Sequence, residues 1–247
     1  MKPATRTLFL ATLLGLTAAS HAATSFTENF SDNSANPNMA LGTNPMNATT
    51  SFAGSNFTIT SSGGARIFLG TNDKDFQATD FVFTATVTLP NNLSADSMPF
   101  FGMGTPTPVV GSYGEPLTNQ YLLMGYRADD RKFQVRSNSG FSGEFNPAFG
   151  VDPLANGTHK MIMQWTALTQ TAVFTFDAYN DGVTNGINDY TFTRDATLNG
   201  FTNTASQLIV GGANGLIFDN ITVSVPEPSA ALLGGLGLLA LMRRRRI

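Results

Sequence analysis

The sequence predicts an all-β domain built as an antiparallel β-sandwich, and three observations predict it. Residues 81–89 read Phe-Val-Phe-Thr-Ala-Thr-Val-Thr-Leu, which sets Phe81, Phe83, Ala85, Val87 and Leu89 on one face of a strand and three threonines on the other. Short runs of similar character recur at 57–61, 120–126, 132–137, 160–166, 173–179, 190–194, 207–210 and 216–223, separated by Gly, Asn, Asp and Pro. No segment between them keeps a helical period, so each apolar face has to be covered by a second sheet.

The chain opens with Lys2 and Arg6, an apolar run over residues 8–16, and Ser20-His21-Ala22 ahead of Ala23. This is the order of a secretory signal peptide, residues 1–22, cut by signal peptidase between Ala22 and Ala23. The domain that follows, residues 23–224, is long enough for one sandwich with a sizeable core. It carries 8 basic and 16 acidic residues, a net charge of −8 over residues 23–225. That balance gives no electrostatic reason to bind nucleic acid; it suits neutral glycans or divalent cations better. With no cysteine in the chain, disulfides, thiolate catalysis and cysteine-based zinc sites are excluded.

Taken in order, the strand signals are punctuated by turn signals. Ala128-Asp129-Asp130-Arg131 sits between two runs and reads as a hairpin turn, and Asn156-Gly157 precedes another strand. The opening Phe26-Thr-Glu-Asn-Phe30, the hairpin around Asp129, the Trp165 strand after Gly157-Thr-His-Lys160, and the closing segment 215–223 together resemble the concanavalin A-like jelly rolls, the group of lectins, laminin-G domains and glucanases. The resemblance implies first and last strands lying side by side, so that both ends leave from one end of the sandwich. An immunoglobulin-like sandwich is the other arrangement of this fold class.

After residue 224 the composition changes. Pro226, Glu227 and Pro228 hold an extended hinge, an uncharged run spans residues 230–242, and Arg243, Arg244, Arg245 and Arg246 close the chain. As a helix the run would reach roughly 20 Å, a marginal span of a hydrocarbon core about 30 Å thick. The arginines belong on the cytoplasmic side, which leaves the Pro-Glu-Pro on the far face. Segment 225–247 resembles the PEP-CTERM sorting signal. That resemblance implies transient membrane retention through a short hydrophobic transmembrane helix, cleavage near Pro-Glu-Pro by an exosortase-type transpeptidase, and export. The precursor would be anchored in the inner membrane and its product located at the cell surface or in the extracellular matrix. An anchor that is never cut is the alternative.

Chemistry is sparse in the domain. The Glu-x-Asp-x-x-Glu strand of laminarinase-like enzymes is absent, and a retaining or inverting glycosidase needs such a carboxylate pair. His159 is the only histidine downstream of the signal peptide, in a turn-like context that predicts a surface residue rather than a base. Segment 177–189 places oxygen-bearing side chains around a glycine: Asp177, Asp181 and Gly182 match positions 1, 5 and 6 of an EF-hand-type loop, while Tyr179 and Asn188 break it. Asp177, Asp181, Asn185 and Asp189 are therefore the candidate calcium ligands, against the simpler reading of a polar connection between two strands. Tyr113 and Glu115, in the irregular stretch 102–119, are the candidate glycan contacts, because sugars offer C–H faces for stacking and hydroxyls for polar partners. Trp165 alternates with Met161 and Met163, a core pattern.

These readings describe an exported, non-enzymatic protein with no cofactor other than a candidate Ca2+, meeting signal peptidase, an exosortase-type transpeptidase, the membrane transiently and extracellular polysaccharide. A carbohydrate-active hydrolase and a purely structural envelope protein are the alternatives. Intact mass discriminates the fate of the two ends: protein recovered from membranes is expected to lack residues 1–22 and keep the arginine tail, and protein from the medium to lack everything beyond Pro-Glu-Pro. Medium protein that still carries Arg243 to Arg246 would sink the cleavage.

Overall fold

The computed structural model describes residues 23–42, 48–61, 66–91, 99–104, 121–127, 132–137, 157–183, 189–196, 201 and 205–226. They form two antiparallel sheets. The first sheet runs β12 (Tyr190–Asp195), β11 (Thr171–Asp177), β10 (Thr158–Thr166), β6 (Phe81–Thr88), β14 (Ile217–Ser224), β4 (Phe57–Ser61), β3 (Ala48–Ser51), with β1 (Phe26–Glu28) paired to β14 beside β4. The second runs β2 (Met39–Leu41), β5 (Ile67–Thr71), β13 (Gln207–Gly212), β7 (Pro99–Gly104), β8 (Tyr121–Arg127), β9 (Lys132–Ser137). The antiparallel sandwich read from the sequence is the observed fold.

Period-2 patterning places the core between the sheets. On β6, Phe81, Phe83, Ala85 and Val87 are buried, and on β10 so are His159, Met161, Met163 and Trp165, with exposed or half-buried residues between them except Thr86, which is buried with its hydroxyl donating to the Asp219 carbonyl at 2.7 Å. Phe83 of the first sheet stacks on Phe101 of the second with centroids 4.2 Å apart, the closest ring pair bridging the two layers among the described residues. Trp165 lies in this core as its alternation predicted, its indole N–H donating to the Gln77 carbonyl at 3.2 Å.

Strand β14 departs from strict alternation. Its register shifts between Asp219 and Thr222, where Asn220 takes φ 47° and the Asp219 carboxylate accepts the Asn220 N–H at 2.6 Å. This bulge lets Phe218, Ile221 and Val223 all face the core although their spacing is uneven. The two ends meet as the jelly-roll resemblance implied: Phe26 is opposite Val223 and Glu28 opposite Ile221.

The second sheet is different in kind. Strands β5, β7 and β13 are buried on both faces. Ile67, Leu69, Leu208 and Val210 join the main core, whereas Phe68, Phe100, Tyr121, Leu123 and Ile209 form a second cluster on the opposite face. Glycine is required on β13, because a Cβ at Gly211 would stand 2.1 Å from the Ile67 carbonyl oxygen.

Two expectations are corrected. The run 173–179 ends as a strand at Asp177, because Ala178–Asn180 forms a 3-10 turn with Tyr179 at φ 67°. Strands β2, β3, β5 and β7 lie where no strand was read from the sequence. The Asp129 turn lies outside the described residues, but Arg127 pairs with Lys132 across β8 and β9, so residues 128–131 join two antiparallel neighbours.

Replacing Phe83 by Ala removes a fully buried ring and is expected to lower stability by about 3–5 kcal/mol. Leu168→Ser, at a turn position 93% exposed, is expected to change it by less than about 0.5 kcal/mol. Chemical denaturation checks both, and equal effects would overturn the placement of the core.

Candidate functional site

Three places in the fold could carry function. The first is the turn after β11. Asp177 is 1% exposed and closes the turn with both oxygens, accepting the Asp181 N–H at 3.2 Å and the Gly182 N–H at 3.3 Å. Asp189 accepts the Ala178 N–H at 2.7 Å, and Asp181 accepts the Val183 N–H at 2.8 Å. Burial raises the Asp177 carboxyl above the ordinary range; the two N–H bonds pull it back, and the neighbouring Asp189 and Asp181 charges push it up further. Asp177, Asp181 and Asp189 are thus near one another, but each is bound to backbone donors. Among the described residues no group of three or more His, Asp or Glu side chains is arranged to hold a metal ion. The described part of the loop does not fit a calcium cage, and Asn185 lies outside the described residues.

His159 corrects a further expectation. It is completely buried rather than superficial, stacked on Phe176 at 5.2 Å, and its Nδ1 accepts the Tyr179 N–H at 3.0 Å. The inward face of β10 that buries Met161 and Trp165 also buries His159, two positions earlier, and that period was the signal available in the sequence.

The second place is where the chain leaves the domain. The Ser25 hydroxyl accepts the Val225 N–H at 2.8 Å, and the Thr24 N–H donates to Asp73 at 3.1 Å. Ala23 is buried in the core, and Pro226, one residue past the last strand contact, is exposed. Ala22, Glu227, Pro228, the apolar run and Arg243 to Arg246 lie outside the described residues, as do Tyr113 and Glu115. Among the described residues no helix is long and apolar enough to cross a membrane.

The third place is a groove of about 270 Å³ over the β2 end of the second sheet, lined by Leu41, Phe68, Gly70, Asn72, Lys74 and Gln207 among others. Gln207, Ile209 and Phe68 share the outer face of that sheet. The Gln207 side chain lies across Gly70, its Nε2 3.0 Å from where a Cβ at position 70 would stand, so the missing side chain there is what admits it. Sequence patterning gave no sign of this groove, since β2 and β5 lack alternation.

The architecture is that of a legume-lectin jelly roll. A Griffonia simplicifolia lectin in its metal-free form superimposes with a TM-score of 0.61 at 14% identity, covering 82% of this chain and 99% of the lectin. Basic winged bean lectin, solved with Tn-antigen, gives 0.61 at 12% identity, with 82% and 99% coverage. A Ulex europaeus lectin complexed with galactose gives 0.59 at 10% identity, with 83% and 99% coverage. Within this chain, residues 224–246 match the PEP-CTERM protein-sorting motif, so the lectin-like domain carries an export-sorting tail that begins where β14 ends. No curated protein matches this sequence.

The raised Asp177 pKa sets a sign. The fold favours the neutral carboxyl, so its contribution to stability is present below the unfolded value near 3.8 and is lost as pH rises through the folded one. Asp189→Asn keeps an oxygen for the Ala178 N–H and removes one repulsive charge. It is expected to make the fall in melting temperature above pH 4 shallower and to stabilise at neutral pH by about 0.5 kcal/mol. EDTA is expected to leave the melting temperature unchanged; a fall on chelation would restore calcium to the loop.

Proposed function

We propose that this chain is an exported, non-enzymatic surface or matrix protein whose sandwich domain binds extracellular polysaccharide, and whose tail delivers it there. The observation that carries the reading is the joining of a legume-lectin architecture, matched across 99% of the lectins, to an export-sorting motif. Two of those lectins were solved with a carbohydrate ligand. A groove open on the sheet face, with apolar and hydrogen-bonding sides, suits a ligand that has both C–H faces and hydroxyls.

The non-enzymatic part of the reading is supported by how the candidate acids and bases are used. The His159 imidazole is buried under Phe176 and Tyr179, and the Asp177, Asp181 and Asp189 carboxylates hold a turn closed. None of these is a free acid–base pair flanking a cleft of the kind glycoside hydrolysis requires.

The full chain recovered from expressing cells, incubated with the producing cells' own extracellular polysaccharide, is expected to co-sediment with it and release no reducing sugar. Reducing-sugar release that an Asp or Glu substitution abolishes would establish a hydrolase instead. Failure to co-sediment, with the protein still accumulating in the matrix, would favour a purely structural role.

A further inference from the structure

We infer that the groove over β2, β5 and β13 is a saccharide subsite that prefers sugars bearing an anionic substituent, carboxylate or sulfate. The inference rests on the polysaccharide-binding reading above and adds the place and the charge.

The argument begins with the polar groups that the fold leaves without work. Gln207 is 9% exposed, on the outer face of β13, yet among the described residues nothing hydrogen-bonds its carboxamide. The amide is not one of the buried atoms left without a partner; it opens onto water in the groove, which a ligand's hydroxyl can displace. Asn72 spends its Nδ2 on the Pro37 carbonyl at 2.7 Å, which leaves Oδ1 as an acceptor. The Lys74 ammonium, on an exposed residue lining the groove, has no ion-pair or hydrogen-bond partner among the described residues. The Thr71 hydroxyl is already committed, donating to the Asp73 carbonyl and accepting the Leu208 N–H, both at 2.9 Å. The groove therefore offers an amide, an acceptor oxygen and a cation, beside the apolar surfaces of Leu41 and Phe68. Sugars match such a set, because their ring faces are apolar and their edges carry hydroxyls. At about 270 Å³ the space lies just below that of drug-sized ligand sites and suits one or two rings.

Charge supplies the preference. The domain bears twice as many acidic as basic residues, yet among the described residues lining this groove there is no carboxylate and one cation, Lys74. Asp73, the immediate neighbour of Lys74, is turned to backbone work, accepting the Asp75 N–H at 2.9 Å and the Thr24 N–H at 3.1 Å. A local positive charge in an acidic domain selects an anionic group and rejects none of the neutral contacts.

The test uses the full chain in affinity electrophoresis against polygalacturonate and its methyl-esterified form, and against dextran sulfate and dextran. Stronger retardation by the charged member of at least one pair is expected, the pair showing whether carboxylate or sulfate is preferred. Lys74→Met is expected to weaken that binding roughly tenfold and to leave the thermal midpoint unchanged, because the aliphatic stem is kept. Lys74→Arg should restore it, and Gln207→Ala should weaken charged and neutral forms alike. Equal binding of charged and neutral polymers, or a Lys74→Met variant indistinguishable from wild type, overturns the inference while leaving a polysaccharide-binding function intact. A wild-type chain retarded by none of these four polymers overturns the inference. If it also fails to co-sediment with the native polysaccharide, the functional reading falls with it.

Discussion

The first sheet exists because its last strand arrives. β14 is hydrogen-bonded to β6 along one edge and to β4 and β1 along the other, so it joins the half containing β6, β10, β11 and β12 to the half containing β1, β3 and β4. Without it Phe57 loses the Phe218 ring stacked 6.1 Å away, and the two halves share no hydrogen-bonded strand. The pairing of residue 26 with residue 223 also has one of the largest sequence separations the domain can offer, so loop-closure entropy delays it. Folding is complete only when the segment immediately before the sorting tail has been made and inserted.

In a chain with no cysteine, the two sheets are held to each other mainly by packing, joined among the described residues by a hydrogen-bonded bridge in which Gln77 accepts from Trp165 of β10 and from Ser206 beside β13. Phenylalanine, present 20 times, does most of this work. Phe30, Phe52, Phe57 and Phe218 form a run of neighbouring rings on one side of the sandwich, and Phe83 and Phe101 meet face to face between the layers. The first sheet keeps a threonine-rich outer face, on which Thr88 meets Thr158 at 2.9 Å and Thr175 meets Thr191 at 3.0 Å. Strands β5, β7 and β13 of the second sheet are buried on both faces, and the groove opens at its β2 edge, where Leu41 is 42% exposed.

This asymmetry explains what could be read from the sequence. Strands of the first sheet alternate between core and solvent, and β4, β6, β10 and β14 stand out for that reason. β5 and β7, buried on both faces, have no alternation to show, whereas β8 and β13, buried as fully, stood out as short apolar runs between turn residues. β5 reads Ile-Phe-Leu-Gly-Thr and β7 reads Pro-Phe-Phe-Gly-Met-Gly, where proline and glycine argue locally against a strand. The groove was illegible because Gly70 and Gln207 meet only through the pairing of β13 with β5, a strand that showed no alternation. Asp177 and Asp189 were found as neighbours because they flank one loop, but their use as backbone caps depends on Tyr179 and Asn180 adopting positive φ. His159 was misplaced by its turn-like neighbours, although its parity with Trp165 pointed inward.

The route by which the tail leaves β14 has a mechanical side. A chain tethered through residue 226 and gripping a polymer in the groove is pulled from opposite layers, since the tether continues a strand of the first sheet and Gln207 and Gly70 belong to the second. Within the first sheet the load runs along β14, in shear against the ladders on both its sides. Between the sheets, among the described residues, it crosses no hydrogen-bonded ladder but the interdigitated rings of the core and the Trp165–Gln77–Ser206 bridge. The resistance of such a link to tension is then set by how hard it is to slide one aromatic layer over the other, and Phe83 on Phe101 is where that sliding would first be felt.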